Sequence, residues 1–223
     1  MNVPILYEDN HLLVVEKPVN IPVQEDQSKD KDLLTLLKED IKIRHKKPGN
    51  VFLALVHRLD RPVGGAMVFA KTSKAASRLS DQLRRKAIER TYLAVVHGVP
   101  SKAKDQLEDY LVKDHRKNIV RTANPNEKEA KKAILHYEVA SEKKGFSLLS
   151  VKLQTGRPHQ IRVQLSSRGF PLYGDQKYGQ RVNKPGQQIA LWSNKLVLEH
   201  PTTKEAMEFT STPPYEYPWK LWQ

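Results

Sequence analysis

Residues 51–72 read VFLALVHRLDRPVGGAMVFAKT. Two apolar runs, 51–56 and 66–70, flank a charged turn, and each is short enough to be a buried strand rather than a helix. Lys71 stops the second run. In the turn a single carboxylate, Asp60, stands between Arg58 and Arg61, with His57 upstream and Gly64-Gly65 downstream. Cations on both sides favour its anionic form, which leaves it available as a nucleophile or a base. The glycines permit positive φ or a close backbone approach, useful where a nucleotide must enter. A plainer reading is a turn carboxylate that pairs with arginine or caps its own loop.

Outward from this stretch, strands recur with few helices between them. Upstream, residues 5–18 (ILYEDNHLLVVEKP) form two short strands around an Asp9-Asn10 turn. Pro18 and Pro22 mark irregular backbone, 24–31 is a polar loop, and Asp32 caps a helix with Leu33, Leu36, Leu37 and Ile41 on one face. Downstream, Ser73 is the expected N-cap of a helix that buries Ala76, Leu79, Leu83 and Ala87 and turns Arg78, Arg84, Arg85 and Lys86 elsewhere. That basic face is either a solvated surface or an RNA-facing one. Residues 91–96 are a strand, and 101–132 a charge-dense excursion of loops and short strands. Residues 134–140 with 146–153, and 190–199 with 205–210, are two hairpins. The Pro-rich tail, 213–219, cannot continue a helix, and its aromatic rings are expected to pack back on the body. The pattern is that of an α+β fold on a mixed, largely antiparallel sheet with flanking helices and loops.

Composition bounds the function. The chain has 223 residues, 39% of them hydrophobic, enough to bury a substantial core. It has 38 Lys and Arg against 25 Asp and Glu, a net charge of +13. Such a field gathers polyanions, and counterion release favours nucleic acid, DNA or RNA alike. No apolar run reaches the length of a membrane span, and Met1-Asn2-Val3-Pro4 leads straight into strand-like sequence with no signal peptide. Cysteine is absent, which removes disulfides and thiolate sites and fits a reducing, cytoplasmic setting. A P-loop, a G-x-S-x-G elbow and a His-Glu-x-x-His helix are all missing, and the eight histidines are scattered. Neither a metal nor a cofactor is expected.

Two further stretches carry chemistry-bearing residues. In 90–96 (RTYLAVV), Tyr92 heads a strand behind Arg90; it could stack on a base or exchange a proton, or it is a half-buried strand tyrosine. In 153–169 (LQTGRPHQIRVQLSSRG), Pro158 suits a first helical turn and Gly169 a stop, although Ile161, Val163 and Leu165 also alternate as in a strand. Either way His159, Gln160, Arg162 and Gln164 crowd hydrogen-bonding groups into one short segment.

These blocks, in this order and spacing, resemble the RluA-type pseudouridine synthases, which convert uridine in RNA to its C-glycoside isomer. The likeness runs through the ILYEDNHLLVVEKP opening, HRLDR with AMVFAKT, RTYLAVVHG, and LQTGRPHQIRVQL up to Gly169-Phe170-Pro171-Leu172-Tyr173-Gly174-Asp175. The resemblance implies that Asp60 is the essential aspartate, Tyr92 the tyrosine against the target base, and Arg162 the basic residue paired with the aspartate. Arg58 would help displace the flipped base. Leu153 and Gly156-Arg157 would lead into the site, with His57, Arg61, His159 and Gln160 among the RNA-binding groups. The implied architecture is a bisected antiparallel sheet around a central RNA-binding cleft, in one catalytic domain, 1–223. The small accessory RNA-binding domain that precedes this body in many relatives is not expected, and the implied protein is a cytoplasmic monomer. The implied partner is a structured ribosomal or transfer RNA, with a compact stem-loop favoured.

One departure stands out. Where many members read x-Thr-Ser-Gly after HRLD and one residue, this chain has Pro62-Val63-Gly64-Gly65, so two hydroxyls are lost and the last glycine is kept. An RNA-binding module without catalysis would account for the charge, but not for Asp60, Tyr92 and Arg162 occurring together. A metal-dependent phosphodiesterase would need clustered carboxylates, and those present are scattered.

Overall fold

The computed structural model describes residues 3–223; Met1 and Asn2, at the head of the opening stretch, lie outside the described residues. In chain order the elements begin β1 (Ile5–Glu8), β2 (Leu12–Lys17), α1 (Leu33–Arg44), β3 (Ala54–Leu55), β4 (Gly64–Ala70) and α2 (Ser73–Arg84). There follow β5 (Glu89–His97), β6 (Lys104–Asp114), β7 (Ile119–Ala123), β8 (Lys131–Lys143), β9 (Phe146–Leu153) and α3 (Gln160–Ser166). The chain closes with β10 (Leu191–Glu199), β11 (Ala206–Thr210) and a 3-10 turn at Trp219–Leu221. It divides into two compact units, one of residues 1–89 and 193–212, the other of residues 90–192 and 213–223. The fold is α+β, and the strand pairings within each unit are antiparallel.

In the first unit β2 pairs with β1 on one side and β4 on the other, and β10 with β11. The Asp9 turn forms as expected, its Oδ1 accepting the N–H groups of His11 (2.7 Å) and Leu12 (2.6 Å). Leu12, Val14, Val68, Leu79, Leu196 and Phe209 share one core. Asp32 caps α1 through Thr35 N–H (3.0 Å), and Leu33, Leu37 and Ile41 are buried. The cap of α2 is Thr72, not Ser73: Thr72 has extended backbone, so its hydroxyl reaches Ala75 N–H at 3.1 Å, whereas Ser73 is already helical. The strand expected over 51–56 shrinks to Ala54–Leu55, because only these two residues find ladder partners, in β4.

In the second unit β9 lies between β5 and β8, β8 continues to β6, and β6 to β7. The 101–132 excursion is more regular than its composition suggests, with an 11-residue β6. Its inward positions Leu107 and Leu111 are buried, while cross-strand pairs such as Lys104–Glu138 and Lys132–Glu108 occupy the outer face. Both expected hairpins, β8–β9 and β10–β11, are present. From the tail, Trp219 is buried and Tyr217 lies edge-on to Phe146 and Tyr173, although Tyr215 stays exposed. Among the described residues no helix is long and apolar enough to cross a membrane.

Candidate functional site

The first unit carries the HRLDR loop between β3 and β4. Side chains alternate along it, with His57 and Leu59 buried, Arg58 exposed and Asp60 half-buried. A turn closes on Asp60, whose carbonyl accepts Val63 N–H at 2.9 Å. His57 accepts Val68 N–H at Nε2 (3.2 Å), so its ring acts as a strut against β4 and its proton sits on Nδ1. Arg61 faces the 20–30 loop, donating to Asn20 O (3.1 Å) and Ser28 Oγ (2.9 Å) and pairing with Asp30. Arg58 reaches Gln24 Oε1 at 3.3 Å and keeps an exposed guanidinium.

Beneath this loop lies a residue that the sequence pattern alone did not bring forward. Lys17, the last residue of β2, has no exposed surface, and its ammonium donates to Pro18 O (2.9 Å), Arg61 O (3.0 Å) and Val63 O (2.8 Å). Three carbonyl acceptors match three N–H donors, and two of them follow closely on Asp60 in the chain. Burial pushes the Lys17 ammonium down to about 7, with the Asp60 carboxylate opposing that shift and Arg61 adding to it. The signal was present in VVEKP: a lysine in a strand whose other inward positions are all apolar.

Gly65 stands opposite Lys17 in the β2–β4 ladder. Its φ is +112°, and a Cβ there would lie 2.3 Å from Ser193 O. The expected close approach is therefore real, but what approaches is the backbone of β10 and not a nucleotide.

The second unit carries the other predicted residues. Tyr92 is on β5 opposite Val151 and is only 5% exposed, deeper than a half-buried strand tyrosine. α3 begins at Gln160, two residues later than Pro158 suggested, because 155–159 wraps around the Gln160 side chain. The Gln160 Oε1 accepts Thr155 Oγ1–H (2.7 Å) and Arg157 N–H (3.0 Å). Its Nε2 is buried with no hydrogen-bond partner among the described residues. His159, just before the helix, sits at φ +50°, with Nδ1 2.6 Å from the Tyr178 hydroxyl. Arg157 donates from Nε to Lys132 O at 2.9 Å.

Arg162 is buried on α3 and forms a two-pronged pair with Asp175, Nε to Oδ2 at 2.8 Å and Nη2 to Oδ1 at 2.9 Å. Burial alone would raise the Asp175 carboxyl; Arg162 and the N–H groups of Lys177 and Tyr178 hold it below its ordinary value instead. The guanidinium also lies 5.2 Å over the Tyr178 ring, whose hydroxyl accepts Val120 N–H at 2.8 Å. Asp175 is itself fixed by its loop. Asn183 Nδ2 donates to the carbonyls of Leu172 (2.9 Å) and Gly179 (3.0 Å). At Gly174, φ +75°, a Cβ would meet Gln188 O at 2.1 Å. Asp175 closes the last block of the family likeness without a role assigned to it there, and Tyr178 lies beyond that block.

Fold and loops together define the class. The description "RNA pseudouridylate synthase" matches residues 11–167, and the chain belongs to that family. It is 35% identical to RNA pseudouridine synthase YhcT of Bacillus subtilis, over 90% of this chain and 65% of YhcT. It is 33% identical to ribosomal large subunit pseudouridine synthase C of Buchnera aphidicola, over 93% of this chain and 66% of that protein. To ribosomal large subunit pseudouridine synthase D of Pseudomonas aeruginosa it is 34% identical, over 97% of this chain and 70% of the relative. The chain thus spans about two thirds of the length of these relatives. In fold it is similar to human RNA pseudouridylate synthase domain containing 4, with a TM-score of 0.82 at 22% identity, covering 98% of this chain and 91% of the human one.

Proposed function

We propose that this protein is an RNA pseudouridine synthase and that Asp60 is its reacting carboxylate. The reaction breaks the bond from N1 of uracil to C1′ of ribose, turns the base, and joins C5 to C1′ while a proton passes from C5 to N1. Nothing is oxidised or reduced, so the chemistry calls for no cofactor or metal. Asp60 acts either as a nucleophile, at C1′ or C6, or as a base towards the sugar. The resemblance gives Tyr92 the role of the tyrosine against the target base and Arg162 that of the basic residue that serves the aspartate. Arg58, with its exposed guanidinium, replaces stacking lost when the uridine leaves its helix. Arg157 and His159, both partly exposed, interact with the RNA, while the buried Gln160 holds their segment in place. The substrate is a ribosomal RNA stem-loop, a choice supported by relatives named for the large ribosomal subunit. The protein works as a monomer in the cytoplasm.

The observation that carries this reading is the half-buried Asp60 on a turn whose carbonyls at Arg61 and Val63 are tied to the buried Lys17 ammonium. The test is pseudouridine mapping on ribosomal RNA incubated with the protein in EDTA. Isomerised uridine without strand cleavage is expected. Asp60→Asn should abolish it with melting temperature and RNA affinity unchanged, and Tyr92→Phe should slow it on the order of 100-fold. Full activity in Asp60→Asn would remove Asp60 from the chemistry.

A further inference from the structure

The net charge of +13 has to reside somewhere. Much of the surface neutralises itself pair by pair, as in Lys31–Glu39, Lys104–Glu138, Lys132–Glu108 and Lys195–Glu208. The outer face of α2 does not. Lys74, Arg78, Arg84, Arg85 and Lys86 lie on or just beyond it, and Lys204 stands on the β10–β11 turn. Asp81 takes both Arg84 and Arg85, Glu199 takes Lys204 at 3.0 Å, and Glu205 beside Lys204 accepts the Thr203 hydroxyl at 3.2 Å. One carboxylate holding two guanidinium groups orients them without cancelling them.

Helix and turn are joined rigidly. Gln82, 2% exposed, donates from Nε2 to Glu199 O (2.7 Å) and accepts Glu199 N–H at Oε1 (3.0 Å). Arg78 Nη1 donates to Pro201 O at 2.6 Å. The turn is locked in its own right: His200 accepts the N–H groups of Thr202 (3.2 Å) and Thr203 (2.9 Å) at Nδ1, and its Nε2 lies 2.9 Å from Asp9 Oδ2. Between these walls is a groove of about 490 Å³ edged by Arg78, Arg84, Arg85 and Lys204, by the hydroxyls of Ser77 and Ser80, and by Asp81 and Gln82, so that four cations face one carboxylate. No aromatic ring and no large apolar side chain lines it.

We propose that this groove is a preformed binding site for the sugar-phosphate backbone of the RNA, additional to the interactions made at the reacting nucleotide. Cations and hydroxyls suit phosphate and ribose oxygens, and the lack of rings leaves nothing for a base to stack on, so binding there is independent of sequence. A bilayer surface is held more firmly where apolar residues insert, and none lines this groove. The proposal rests on the reading of the protein as an RNA synthase only for which polyanion occupies the groove.

The test is the double variant Arg84→Glu/Arg85→Glu, with Lys204→Ala as a milder companion, measured against a long transcribed ribosomal RNA fragment and against a pentauridylate. On the long RNA, binding should weaken about tenfold or more, and the slope of log affinity against log salt should fall by about 0.7 for each phosphate that the variant no longer neutralises. KM should rise with kcat unchanged. Pentauridylate, too short to occupy the groove and a second site together, should show no difference in turnover, and melting temperatures should match the parent. An unchanged salt slope on the long RNA overturns the proposal, and so does a fall in kcat with KM intact. Binding is measured without turnover, so a parent protein that makes no pseudouridine yet loses RNA affinity in the variant refutes the enzymatic reading and leaves the groove standing.

Discussion

The HRLDR loop of the first unit and the 154–175 region of the second hold their polar residues by different means. In the first, the side chains of Arg58 and Asp60 reach the surface, and order comes from below, through Lys17 gripping backbone carbonyls and Gly65 pressed on Ser193. In the second, Arg162 and Gln160 are themselves buried, and the polar side chains are gripped by others: Arg162 by Asp175, Gln160 by Thr155, His159 by Tyr178. A loop held by its backbone keeps its course when a side chain at its tip is changed. A segment held through its side chains fixes the direction of a guanidinium or carboxamide but tolerates little change in those groups. The two regions should therefore respond to mutation through different atoms.

The sharpest way to break the comparison is Gly65→Ala. A methyl group 2.3 Å from Ser193 O cannot fit while φ stays at +112°, and the expected loss exceeds about 4 kcal/mol, read as absence of a folded first unit. A soluble variant with a normal urea transition would show that the loop does not depend on that approach. Next is Asp175→Asn, which removes the carboxylate charge that holds both prongs of the buried Arg162 guanidinium. The loss should be about 3–5 kcal/mol in urea unfolding, and a midpoint shift near zero would undo the side-chain account of the second region.

Lys17→Met is expected to come third, at about 1–3 kcal/mol for carbonyls left without donors. Its signature is in the pH dependence. The folded ammonium is pushed down to about 7 from an ordinary value of 10.5, so the unfolded chain binds more protons between those limits. Through this group stability must rise as pH rises across that window. The melting temperature of the parent should therefore gain on that of Lys17→Met from pH 7 towards pH 10; parallel curves would place the charge elsewhere. The smallest effect is Thr155→Val, about 1 kcal/mol, since it removes one donor to Gln160 and one acceptor of Ile134 N–H (2.8 Å). Amide exchange at Ile134 should report it.

Legibility followed the length over which each signal acts. Hairpins and helix faces were readable because turn residues and apolar periodicity are local: the Asp9 turn, the cap at Asp32 and the β8–β9 pair fell where expected. The 51–56 strand was over-read because an apolar run says nothing about whether a partner lies alongside. β6 was under-read because its charged residues, which suggested loop, are paired across the sheet face. Of the loop residues, Asp60 was evident from its setting among cations. Lys17 and Asp175 escaped notice, since a buried ion is recognised by what surrounds it and not by its neighbours in the chain.

The order of the HRLDR, RTYLAVV and GRPHQIR blocks was enough to define the family and to nominate Asp60, Tyr92 and Arg162, because residue type and spacing are properties of the chain alone. Which polar groups are buried, and who holds them, became visible only in three dimensions. Lys17 meets carbonyls more than forty residues away, and Gln82 clasps a turn more than a hundred residues on. The physical reason is desolvation: a charge or amide in the interior persists only where distant backbone and side chains supply its partners together, and no local pattern encodes that closure.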